Sequence, residues 1–163
     1  MSISAPPEKD PSICTPQVEE VVADGDFEAK ASGKRVVLAG CDRAPMRGMP
    51  ELLRSAVENI VRNAIRHTRP GTAVDVSVRV GADHFAHIVV RDRGPGVDPA
   101  LLTEMFKPFR RVHREEALSD GAGLGLALTE RVVHMHGGRI SAMNGPDAGL
   151  VTTIELRLDG QQR

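Results

Sequence analysis

Tryptophan and tyrosine are absent from the 163 residues, phenylalanine occurs four times, and only four of the 21 basic residues are lysine. Without aromatic platforms the chain cannot stack successive bases, which excludes the single-strand and RNA readers that depend on them. An excess of one charge is missing too: 21 basic and 22 acidic residues leave a formal net charge of -1, so no bulk field draws nucleic acid or anionic lipid. The two cysteines, Cys14 and Cys41, form no paired framework and read as thiols of a reducing compartment. No stretch approaches the roughly 18 apolar residues of a membrane span, and the start lacks a cationic flank with an apolar run behind it. These absences predict a chain of cytoplasmic character with no nucleic-acid partner and no direct membrane contact.

What is present suits one globular domain with a tail: hydrophobic residues are 40% and charged residues 26% of the chain. The 17 arginines favour planar, bidentate recognition of phosphate or carboxylate, although a GC-rich genome produces the same bias. Pro6, Pro7, Pro11 and Pro16 among polar residues predict an extended linker over 1–17, with something attached upstream.

From Val18 the spacing of Val21, Val22, Phe27 and Ala31 predicts a helix ended by Gly33, followed by a short strand at Val36, Val37 and Leu38. A stronger helix runs from Pro50, with Leu53, Val57, Ile60, Val61 and Ala64 on one face, to a stop at Thr68-Arg69-Pro70-Gly71. The alternation of Val74, Val76, Val78 and Val80 and the strand Phe85 to Arg91 make 73–91 an antiparallel hairpin. A short helix over Pro99 to Met105 leads into a charged stretch at 107–120. A helix carrying Leu126, Leu128, Val132, Val133 and Met135 closes at Gly137-Gly138, and strands follow at Arg139 to Met143 and Val151 to Leu158. Strands grouped with helices predict an α/β, or α+β, two-layer sandwich whose mixed, mostly antiparallel sheet packs on about three helices.

Three groups of polar and small residues could carry chemistry. Asn59, Asn63 and Arg66 share a narrow helix face that can offer an oxygen to a metal and donors to phosphate, or can be an ordinary solvated face. Asp92-Arg93-Gly94-Pro95-Gly96-Val97 follows an apolar strand; its carboxylate can accept a bond from an exocyclic amine, or the segment is a plain turn. Gly121-Ala122-Gly123-Leu124-Gly125-Leu126 opens a helix, where converging N–H groups bind phosphate. It is neither a dinucleotide fingerprint nor a Walker motif.

Taken in order, Asn59-x-x-x-Asn63-Ala64, Asp92-x-Gly94-x-Gly96, Phe106-Lys107-Pro108-Phe109 and Gly121-x-Gly123-Leu124-Gly125-Leu126 resemble the N, G1, F and G2 boxes of the sensor histidine kinase catalytic ATP-binding domain, of the GHKL superfamily. The resemblance covers 18–158, and the run Glu58 to Ala64 is similar to the Cpx-type envelope-stress sensors. It implies the Bergerat fold over a domain at 18–160, with ATP and Mg²⁺ as cofactors. Asn63 would hold Mg²⁺ with Asn59 beside it, Arg66 and Arg111 would reach phosphate, and Asp92 would bind the adenine amine in a pocket shaped by Gly94 and Gly96. Residues 98–121 would form an ATP lid anchored by Phe106 and Phe109; Gly121, Gly123 and Gly125 would close the triphosphate site, with Leu124 and Leu126 packed nearby. Three positions depart from the family: His67 stands where Tyr or Phe is usual beside the nucleotide, Leu150 where Ser or Thr often follows the late glycine, and Arg157 where Pro is usual.

None of the six histidines is followed by the acidic residue of the family's phosphoacceptor; His84 and His87 are placed on opposite strand faces, and His134 and His136 diverge on a helix. The resemblance therefore implies a monomeric catalytic fragment of a homodimeric, membrane-anchored parent. It would pass the γ-phosphoryl group to a histidine on a separate dimerisation domain, and thence to a response regulator. Glu58 is one residue before the position at which related ATPases keep a water-activating Glu, about 100° away around the helix, so efficient hydrolysis is not expected. The competing readings are an anti-sigma serine kinase of the same fold and a degenerate, non-catalytic nucleotide sensor.

Overall fold

The computed structural model describes residues 16–108 and 125–159. Within them lie α1 (Pro16–Lys30), β1 (Arg35–Cys41), α2 (Pro50–His67), β2 (Ala73–Val80), β3 (Phe85–Arg91), α3 (Gly125–Met135), β4 (Arg139–Asn144) and β5 (Leu150–Arg157). One five-stranded sheet runs in the order β1-β2-β3-β5-β4, with β1 and β2 parallel and every other pair antiparallel. The parallel pair needs a crossover connection, and α2 supplies it.

Strand alternation sorts the sheet into two faces. Val74, Val76, Val78, Ala86, Ile88, Val90, Ile154 and Leu156 bury themselves in one core with Val57, Ile60, Val61 and Ala64 of α2 and Val133 of α3. The other face carries paired charge: Glu155 meets Arg139 at 3.1 Å and His87 at 3.6 Å, and His87 meets Asp83. The guanidiniums of Arg139 and Arg157 lie 6.0 and 5.8 Å from the Phe85 ring centroid, a cation–π arrangement on the open face.

Several details differ from the sequence reading. In α1 the buried face is Val18, Val21, Val22, Gly25 and Ala29, while Phe27 is 80% exposed. Gly25 lies on the face that packs on α2, where an added Cβ would be 3.2 Å from Val61. The helix also begins at Pro16, inside the expected linker. Beyond Leu38 the first strand continues to Cys41 through a bulge that repairs its register with β2. The short helix at 99–105 is two 3₁₀ turns, Pro99–Leu101 and Glu104–Phe106, the first capped by Asp98. His84 is not on the strand: it sits in the hairpin turn at φ 63, bonding back to Gly81. His136 lies one residue past α3, where its ring bonds Val132 O and accepts from Met49 N at 3.0 Å. Leu128 and Met135 of α3 point outward; Thr129 and Val133 are its buried residues.

At the other end of α1, Asp26 receives two bonds from Arg35 and one from Val36 N. The Arg35 side-chain bond first, and then the Val36 amide, hold its carboxyl at about 2.

Candidate nucleotide site

Helix α2 has Pro in its first turn and six buried apolar residues, and Asn59 and Asn63, half-buried, and Arg66, exposed, share a face beside that apolar stripe. Asn59 Nδ2 donates to the carbonyl of Gly125, at the start of α3, over 3.4 Å, and Gly125 Cα faces the same carboxamide so closely that a Cβ would lie 3.8 Å from it. Thr129, wholly buried, bonds Gly125 O at 2.9 Å and Ala56 O at 3.4 Å and fixes the two helices together. The side chains of Asn63 and Arg66 make no hydrogen bond or ion pair with other described residues. Lys34 instead reaches the carbonyls of Ile65 and Arg66 and satisfies the end of the helix.

Glu58 turns away from this face. It pairs with Arg62 at 3.0 Å and lines a small groove against α1 with Val21, Asp24, Gly25 and Glu28. The expected 100° offset is thus realised in packing.

Asp92 follows β3 and is 2% exposed. Its Oδ1 accepts from Gly94 N at 2.9 Å and from Leu150 N at 3.1 Å, while its own N–H donates to Leu150 O at 3.0 Å. Oδ2 accepts nothing from the described residues, so a buried carboxylate is oriented through one oxygen and offers the other. Gly94 sits flush against the end of α2, where an added Cβ would be 2.2 Å from His67 O. Gly149, at φ +85, would put a Cβ 2.1 Å from Asp92 O. These two close approaches bring the Asp92 turn against both the site helix and the return into β5.

The segment after Asp92 is clamped by Asn144, whose Oδ1 accepts from Val97 N at 2.8 Å and whose Nδ2 donates to Val97 O at 2.6 Å. Gly96, at φ +73, passes close enough that a Cβ would be 2.7 Å from that Oδ1. Phe106 is buried in a second cluster with Val97, Met105 and Leu150, and Leu126 packs against both this cluster and the main core. Leu150 therefore has two roles, an apolar side chain under Phe106 and backbone bonds to Asp92. The hydroxyl usual at that position would be lost in apolar surroundings.

Of the site residues read from the sequence, Asn59, Asn63, Arg66 and His67 lie along α2, with Gly125 against Asn59 and Gly94 against His67, while Asp92, Phe106 and Leu126 lie on the side of Leu150 and Gly96 lies against Asn144. Phe109, Arg111, Gly121, Gly123 and Leu124 lie outside the described residues. Sequence reasoning missed Asn144 and the hydroxyl of Thr68, which accepts from Arg93 N at 3.0 Å. Their partners are 47 and 25 positions away, whereas the late glycine before a strand, Gly149, carried a local signal. No group of three or more His, Cys, Asp or Glu placed to hold a metal occurs among the described residues.

Comparison with known proteins identifies the family and the fold. Over 141 residues the chain is 38% identical to the sensor histidine kinase CpxA of Escherichia coli K12, a match covering 85% of this chain and 30% of that protein. The chain thus spans under a third of the length of the curated relatives it matches there. Its fold superposes on the mycobacterial sensor histidine kinase MprB with a TM-score of 0.73 at 26% identity, covering 86% of this chain and 97% of that one. Full-length ShkA, solved in complex with AMPPNP, shares the fold with a TM-score of 0.77 at 22% identity, covering 100% of this chain and 33% of that one. Residues 48–160 match the family of histidine kinase-, DNA gyrase B- and HSP90-like ATPases, and the chain belongs to it.

Proposed function

We propose that the chain is the ATP-binding catalytic unit of a two-component sensor histidine kinase, passing the γ-phosphoryl group of Mg-ATP to a histidine on a separate helical domain. The observation that carries this reading is the half-satisfied Asp92 carboxylate, buried, locked through Oδ1 and open at Oδ2. A buried acceptor bonded to the backbone of Leu150, whose side chain packs in an apolar cluster with Val97 and Phe106, suits the exocyclic amine of adenine.

The donor set also fits a magnesium triphosphate. Among the described residues Asn63 has an uncommitted carboxamide, Asn59 spends only its Nδ2 on Gly125 O, and Arg66 extends an unpaired guanidinium one turn further along. Asn63, with Asn59 beside it, would hold the metal through an amide oxygen. Bound there, magnesium neutralises phosphate charge. Arg66 and Arg111 bind the phosphates, Asp92 and Gly94 orient the base, and Phe106 with Leu126 excludes water from the near side. Catalysis then rests on positioning and charge neutralisation, with the accepting base on the partner domain. The parent protein would be a membrane-anchored homodimer that phosphorylates a response regulator.

Asp92→Asn tests the reading. Gly94 N and Leu150 N would keep their acceptor in Asn Oδ1, so the amide nitrogen would replace Oδ2 and oppose the adenine amine with a second donor. Calorimetric titration should show Mg-ATP affinity reduced at least about 100-fold, because a buried donor pair replaces a buried bond. Wild-type affinity in a folded Asp92→Asn protein would remove the basis of the proposal.

A further inference from the structure

The residue after Asp92 is held by the turn that ends α2 through both of its backbone polar groups. Arg93 N donates to Thr68 Oγ1 at 3.0 Å, and Arg93 O accepts from Arg69 Nε at 3.0 Å and Arg69 N at 3.4 Å. The proton order around Thr68 is fixed. Thr72 Oγ1 gives its one proton to Arg69 O at 2.5 Å, so in the 2.8 Å contact between the two hydroxyls Thr68 must be the donor. Thr68 Oγ1 is then left with lone pairs for Arg93 N. The chain Arg93 N–H to Thr68 to Thr72 to Arg69 O runs in one direction, and Thr68 is 2% exposed, so water does not readily replace it. The Arg93 side chain closes the arrangement from the far side, bonding Ala73 O and Asp75 Oδ2.

This latch joins two halves of the site that have no covalent reason to be in register. Asn59, Asn63 and Arg66 are on α2, while Asp92 is at the end of β3, and Gly94 packs directly on His67 O between them. Moving Arg93 relative to Thr68 moves Asp92 relative to the phosphate-binding side chains.

We propose that Thr68 is a positioning residue whose hydroxyl registers the Asp92 carboxylate against α2 and so sets the preference for a 6-amino purine. The proposal rests on the reading of Asp92 as the base anchor. Thr68 acts through Asp92 and touches no substrate, so its removal should weaken only ligands that use the carboxylate.

The test compares Mg-ATP with the magnesium complex of purine riboside triphosphate, which has hydrogen in place of the amine, by calorimetry. Thr68→Val should lower ATP affinity about tenfold, the worth of one net hydrogen bond, and change the purine analogue by less than about twofold. Thr68→Ser should restore ATP affinity to within about threefold. In an Asp92→Asn background Thr68→Val should cost nothing more. Equal weakening of both nucleotides, or unchanged ATP affinity, overturns the proposal. If Thr68→Val does not fold, Thr72→Val decides: it leaves Arg93 its acceptor but frees the Thr68 proton, and a smaller loss confined to ATP supports the latch, whereas no loss or an equal loss refutes it. A wild-type protein that binds the purine analogue as tightly as ATP defeats the reading of Asp92 itself, and the latch with it.

Discussion

Replacing Gly94 with alanine is the most direct probe of how tightly the Asp92 turn is fitted to α2. The new methyl would lie 2.2 Å from His67 O and 2.9 Å from His67 C, and both are backbone atoms that no rotamer change can move. It falls more than 1 Å short of ordinary contact, so the turn must lift from the helix. Lifting stretches Gly94 N to Asp92 Oδ1, Arg93 N to Thr68 Oγ1 and the Arg69 bonds to Arg93 O. Overpacking costs about 1–3 kcal/mol, and one weakened buried bond adds about 1 kcal/mol. A loss of about 2–4 kcal/mol lowers the melting temperature of a domain this size by roughly 5–15 °C. Gly71→Ala is the control. Gly71 has φ +81 with nothing near its Cβ position, so it isolates the left-handed backbone penalty of about 1–2 kcal/mol from the clash. Differential scanning fluorimetry with and without Mg-ATP reads both effects: Gly94→Ala should melt lower and lose most of its nucleotide-induced shift, whereas Gly71→Ala should keep the shift. A Gly94→Ala protein that melts and binds like wild type would show that the turn does not sit against His67 O.

Asn144→Ala removes both bonds to Val97 and should destabilise the domain by about 1–2 kcal/mol in urea titrations, with faster amide exchange at Val97. Asp26→Asn should cost about 1–2 kcal/mol at pH 7 after allowing for solvent screening. Because the Asp26 carboxyl is depressed to about 2 by Arg35 and Val36, its contribution is present above the ordinary carboxylate range near pH 4 and is lost as pH falls toward 2; the gap between variant and wild type should close across that window. Glu58→Gln should leave residual ATP turnover within about twofold, since the carboxylate pairs with Arg62 on the α1 side; loss of a vigorous activity would contradict its assignment as a bystander.

The parts of this domain legible in the sequence are those written at short range. The apolar stripe of α2 and the alternation of β2 recur every three to four and every two residues, and both elements form as read. The Asp92, Gly94 and Phe106 positions were legible because their spacing within each box is local. Asn144 and Thr68 were not, because an Asn bonded to a backbone 47 residues earlier, or a Thr to one 25 later, looks like any surface polar residue. Phe27 misled because helical spacing alone cannot tell a buried face from a neighbouring one; the face that packs carries Gly25, where an added Cβ would lie 3.2 Å from Val61 on another helix. The outward His84 follows from a turn that needs a left-handed residue, which no strand alternation predicts.

The bond between Asp92 Oδ1 and Leu150 N spans 58 positions of sequence, and this has a kinetic meaning. The β2–β3 and β4–β5 pairs join neighbouring stretches and can form early, whereas β5 must return across the whole α3 segment to lie beside β3. Only when that pairing, the most non-local in the sheet, closes does the Leu150 amide reach the carboxylate. Any ligand that uses it selects finished molecules, leaves partly folded ones alone, and draws the folding equilibrium forward by mass action.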